Sequence, residues 1–181
     1  MSHLRQEFDK WCFKLFIADS VNAKNMESFK DKYTADPIWK STQQLIAREK
    51  GYFFLKNNEY ASAERFFKVS NDERLVKYCK ASENARVASD LLSLEIDEDI
   101  VKRYGNMDTM QKEACKMFLE SASLFVELNK PNEAGKCYFA AERYDDALDC
   151  FRQGDNKLNL GHTHFMLRQY EAALPLYYEL E

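Results

Sequence analysis

Three segments of this chain superpose without gaps, and that repetition limits the fold more than any other feature. Gly51 is followed by Phe54 three residues on, Tyr60 at nine, Ala63 at twelve and Phe67 at sixteen. Gly135 is followed by Tyr138, Tyr144, Ala147 and Phe151 at the same offsets, and Gly161 by His164, Tyr170, Ala173 and Tyr177. Repetition of this kind marks a unit that buries its apolar face only against a neighbour. The offsets predict an antiparallel αα-hairpin. Glycine inside a helix costs about 1 kcal/mol relative to alanine, so its return in one slot predicts close approach of the paired helix. The alanine is the small residue on the second helix. The last aromatic fills the space one turn further along. The tyrosine sits at the turn, packing across the hairpin while its hydroxyl reaches water or a backbone group.

Composition agrees with an all-helical fold. The 181 residues include 5 Gly and 3 Pro, where an average chain of this length carries roughly 20 of the two together. Hairpin turns and phosphate-binding loops need these residues. Their scarcity argues against an all-β fold, a nucleotide-binding α/β fold and a long disordered tail. The apolar share of 45% sustains one core, and the length suits a single domain over residues 1–181.

Four parts are expected within it. Residues 1–36 hold N-terminal helices, one carrying Leu4, Phe8, Trp11, Cys12, Leu15 and Phe16, another from Met26 to Tyr33. Residues 37–70 form the first clear hairpin, opened by Asp36 and Pro37, with Ala63, Phe66 and Phe67 inward and a turn at Asn57, Asn58 and Glu59. Residues 71–108 read as irregular: a cap at Asp72, a short helix at Leu75, Val76 and Cys79, and another at Val87, Leu91, Leu92 and Leu94. There Val76, Cys79, Ala85, Ala88 and Leu92 fit a degenerate copy of the repeat, 25 residues after the first. Residues 109–181 form a second helical array. Asp108 is expected to cap a long helix ending near Lys130, and Pro131 to open a short one ending near Ala141. Further short helices are expected at about 144–153, 156–167 and 170–180, with connections of two to four residues. Pro175 fits this poorly, because inside a helix it removes a hydrogen bond. It predicts either a later start for the last helix or a kink.

The stretches Lys50-Gly51-Tyr52-Phe53-Phe54, Tyr60-Ala61-Ser62-Ala63 and Phe67, with Leu160-Gly161, Tyr170-Glu171-Ala172-Ala173 and Tyr177, resemble tetratricopeptide (TPR) repeats. The likeness lies in the inner frame of small and aromatic residues. The opening Trp of a typical repeat is replaced by Ala47, Pro131 and Lys157, no Pro closes each unit, and Gly135 and Gly161 are 26 apart where about 34 is usual. Short-period arrays of this type are similar to the helical solenoids of vesicle-coat and intraflagellar-transport subunits, and to helical regions of TPR-and-ankyrin or helicase-like proteins. The resemblance implies a right-handed α-solenoid whose first helices line a groove. By the repeat frame that groove would hold Arg48, Tyr52 and Lys56, then Asn132, Lys136 and Phe139, then Leu158, His162 and Phe165. A packing role for Leu158, Phe139 and Phe165 is the competing reading. TPR domains that clamp a peptide carboxylate place Asn one turn after Lys on this face. Here Tyr52 follows Arg48 and Lys136 follows Asn132, so that mode of binding is not expected.

No catalytic set emerges. His162 and His164 point about 200° apart on a helix and do not share an ion easily; His164 takes an aromatic core slot. Cys137 lacks a feature that would lower its pKa, and Cys12, Cys79, Cys115 and Cys150 are scattered without a Cys-x-x-Cys pair. Reduced thiols of this kind suit an intracellular protein, cytoplasmic or nuclear. The acidic run from Glu95 to Asp99 lacks the Gly and distant Glu of a calcium loop, and no phosphate loop, Gly-x-Ser-x-Gly or His-Glu-x-x-His occurs. No metal, cofactor or enzymatic activity is expected. A net charge of −4 does not favour nucleic acid, no apolar run reaches the roughly 18 residues of a membrane span, and the polar opening residues do not form a signal peptide.

The function expected is therefore a non-catalytic scaffold that binds a protein or peptide. The apolar last helix, with Leu174, Leu176, Tyr177 and Leu180, lacks the polar outer face of a capping helix. It raises two options: an accessory segment of a larger helicase-like or transport-coat protein, or self-association through the C-terminal helix. An RNA-binding helical protein ranks third.

Overall fold

The computed structural model describes residues 37–93, 102 and 105–179. The helices expected before Asp36, the cap at Asp36 itself and the acidic run at 95–99 lie outside the described residues. Those described form eight helices and no strand: α1 (Pro37–Lys56), α2 (Tyr60–Val69), α3 (Glu73–Ser93), α4 (Met107–Glu127), α5 (Pro131–Ala140), α6 (Tyr144–Gln153), α7 (Lys157–Met166) and α8 (Tyr170–Tyr178). The chain divides into two units, residues 1–45 and 46–181. Of the first only the opening of α1 is described; the second holds the rest of α1 and every later helix.

In that second unit each helix from α2 to α8 packs on the next along the chain. The main core joins Ala81, Ala88 and Leu91 of α3 to Met110, Ala114, Phe118, Ala122 and Phe125 of α4, and continues to Ala134 and Cys137 of α5 and Cys150 of α6. A smaller core gathers Ala63 and Phe67 of α2 with Cys79 of α3, and Phe54 and Leu55 of α1 pack against it.

The turns share one construction. Three residues separate α1 from α2, α2 from α3, and each successive pair from α4 to α8. The middle residue of each turn has a left-handed backbone: Asn58 (φ 60°), Asn71 (56°), Asn129 (55°), Glu142 (59°), Asp155 (49°) and Arg168 (60°). The N–H of the next residue then donates to a carbonyl five positions back, as in Glu59 to Phe54, Arg143 to Tyr138 and Gln169 to His164, at 2.9–3.0 Å. This is the closure that satisfies orphan carbonyls at a helix end. Glycine is the usual occupant of the left-handed position, and here none of the six is glycine.

A short helix of ten residues plus a turn of three makes one step of the array. The left-handed residues 129, 142, 155 and 168 keep that step, as do 58 and 71. Two steps carry the chain from Gly135 to Gly161. The step is lost between Asn71 and Asn129, where α3 and α4 are each 21 residues long.

Several boundaries agree with expectation. Pro37, Tyr60, Pro131, Tyr144 and Tyr170 open helices, and Asp72 Oδ1 accepts from the Leu75 N–H at 3.2 Å. Others do not. The two short helices expected between 72 and 94 are one helix, α3, so Ala85 sits mid-helix where the repeat frame places a turn. Ala81 and Ala88 are fully buried in the main core, while Cys79 on the same helix belongs to the smaller one. Arg86 bridges Glu83 (2.7 Å) and Asp90 (2.6 Å) along the outside. The cap of α4 is Asn106, whose Oδ1 accepts from the Thr109 N–H at 3.0 Å; Asp108 lies in the first turn. That helix ends at Glu127, short of Lys130. Pro175 lies inside α8, which nevertheless starts at Tyr170. Having no N–H, Pro175 cannot satisfy the carbonyl of Glu171 four residues back. Both residues are exposed, which leaves that carbonyl to water.

Candidate interaction surface

The repeat slots meet in space. A Cβ placed on Gly51 would lie 2.5 Å from Cε1 of Phe67, and one on Gly135 would lie 2.6 Å from Cε1 of Phe151. On Gly161 it would lie 3.1 Å from Cε1 of Tyr177. The aromatic ring therefore rests directly on the glycine, not one turn further along as expected. Ala63, Ala147 and Ala173 are buried on the same helices as these rings. At the third position Phe54 stacks on Phe66 with ring centres 5.3 Å apart. Tyr138 is half-buried, and burial raises its phenol pKa above the ordinary range. His164 is a packed core imidazole, buried, with Nδ1 2.7 Å from Gln169 Oε1. The tyrosines at the turn pack across the helix pair in the last two repeats, while Tyr60 of the first bonds a side chain within its own turn. Tyr144 meets Phe139 edge-on at 5.3 Å, Tyr170 meets Phe165 at 5.5 Å, and the Tyr60 hydroxyl donates to Asn58 Oδ1 at 3.0 Å.

Each pair is also latched at its open end by a polar contact. Asn132 Nδ2 donates to the Gly154 carbonyl at 3.1 Å, and a Cβ on Gly154 would run into the same amide. In the next pair Lys157, one residue before the position that corresponds to Asn132, bonds Glu179 Oε2 through Nζ at 2.7 Å. Both contacts span 22 residues. Glu179 raises the Lys157 pKa, first through this hydrogen bond and then through its charge. In the first pair Arg48 lies 3.5 Å from Asp72 Oδ2 and 5.9 Å from the centre of the Tyr52 ring. Thus two residues expected in a groove, Arg48 and Asn132, make polar contacts within their own helix pair. Spacing hides this role in the sequence, because each partner sits in a turn beyond the next helix.

The remaining groove candidates are placed as follows. Tyr52 is exposed on one side and meets Phe67 edge-on at 5.4 Å, and Lys56 is exposed at the end of α1. Lys136 is exposed on α5, with Phe139 half-buried against Tyr144. On α7, Leu158 and Phe165 are 46% and 55% exposed, so neither is core. His162 lies between them, exposed, with its ring 5.6 Å from Tyr177. Positions i, i+4 and i+7 share one helix face, so these three form one stripe.

The other candidates for chemistry are packed. Burial raises the Cys137 thiol to about 12, with Glu133 adding to the effect. Burial likewise raises Cys79 to about 11. Neither thiol is ionised near neutral pH, and the thiolate is the reactive form. Among the described residues no group of three His, Cys, Asp or Glu is placed to hold a metal ion, and no helix is long and apolar enough to cross a membrane. A depression along α4, lined by Gln111, Cys115, Leu119 and Ser123 among others, is walled by that single helix. No protein-family model, curated protein or solved structure matches the chain.

Proposed function

We propose that the chain is a short-period, TPR-like right-handed solenoid of antiparallel hairpins that acts as a non-catalytic protein-interaction scaffold. Consecutive packing through identical three-residue turns supports the hairpin reading. The observation that carries the function is the α7 stripe. Leu158 and Phe165 leave about half their surface in water, with His162 between them. Large apolar side chains gathered on one exposed helix face are the usual anchor of a protein or peptide contact. The repeat frame would set Tyr52 and Lys56 of α1, and Lys136 and Phe139 of α5, in line with that stripe and give the surface mixed aromatic and basic character. A double substitution, Leu158→Asp with Phe165→Asp, tests this. Both sites are about half exposed, so the variant should keep its helical circular dichroism, with only the loss of melting temperature that the Phe165–Tyr170 contact accounts for. Proteins crosslinked to the parent chain in cell extract should be lost from the variant. An unchanged crosslinking pattern, or no crosslinked protein with either chain, overturns the reading.

A further inference from the structure

We draw no further inference here: the strongest candidate, the depression along α4 lined by Cys115, Leu119 and Ser123, is walled by that single helix, and nothing in the structure shows what covers it.

Discussion

The pair made by α5 and α6 and the pair made by α7 and α8 follow one repeat frame, with the same turns and a polar latch of the same span. They differ in how completely they are filled. Phe151 is 1% exposed on Gly135, while Tyr177 is half-buried on Gly161. Leu148 is buried and Leu174 is 54% exposed. The frame therefore sets where helices begin, end and touch, whereas the neighbouring helices decide how much of each is covered. Helix geometry is local to one helix and its turn; burial belongs to the array.

The widest separation between the two pairs should come from their aromatic slots. Phe151→Ala is expected to cost about 3–5 kcal/mol in urea unfolding, as for other buried rings, and Tyr177→Ala roughly half of that. Equal losses would show that the second pair is as closed as the first. The glycines give a smaller and opposed pair of effects. Alanine at Gly135 gains about 1 kcal/mol of helix propensity but drives a methyl into Phe151, and overpacking of that kind costs about 1–3 kcal/mol. The net expectation is destabilisation. At Gly161 the contact is 3.1 Å and the ring is less confined, so Gly161→Ala should leave the melting temperature unchanged or raise it. A fall at both sites would erase the distinction.

Alkaline pH sharpens the comparison last. Cys137 of α5 gives way, one repeat later, to Thr163 of α7, which is also buried but does not titrate. A thiol raised to about 12 in the folded chain loses its proton in the unfolded chain near 8.5. The unfolded state thus binds fewer protons above that pH, and stability falls as pH rises. The contribution is fully present below about 8.5 and is lost progressively towards about 12. Unfolding free energies measured from about pH 8 to about pH 10.5 should fall less steeply in Cys137→Thr than in the parent chain. Cys79, raised to about 11, retains part of the slope in the variant.

Much of the fold can be read from side chains. The repeated Gly, Ala and aromatic slots correspond to real contacts, and Pro131, Tyr144 and Tyr170 mark helix starts because helix termini have local signatures. The single step of helix plus turn is not legible, because its key position holds Asn129, Glu142, Asp155 and Arg168, which share a backbone conformation and no side-chain type. The continuity of α3 is hidden by Ser82, Glu83 and Asn84, polar residues that read as a break. Its core face passes through Ala81 and Ala88, which are too small to register as an apolar stripe. For the candidate surface, helical spacing sets Leu158, His162 and Phe165 on one face of α7, where all three are exposed. It cannot show that Arg48 and Asn132 are engaged, since their partners Asp72 and Gly154 come from turns beyond the next helix.

The common turn has a consequence for how such a chain changes length. Removing or duplicating residues 130–155 would join backbones already in the same left-handed conformation, at Asn129 and Asp155. It would also leave each repeat glycine matched to its aromatic ring. Removing residues 130–142 alone would join the turns equally well but set α6 where α5 belongs. Leu148 would then stand in the slot of Gly135, and His164 in that of Phe151. The backbone accepts either length, and only the side chains distinguish them. Insertions and deletions in this array are therefore counted in whole pairs of helices.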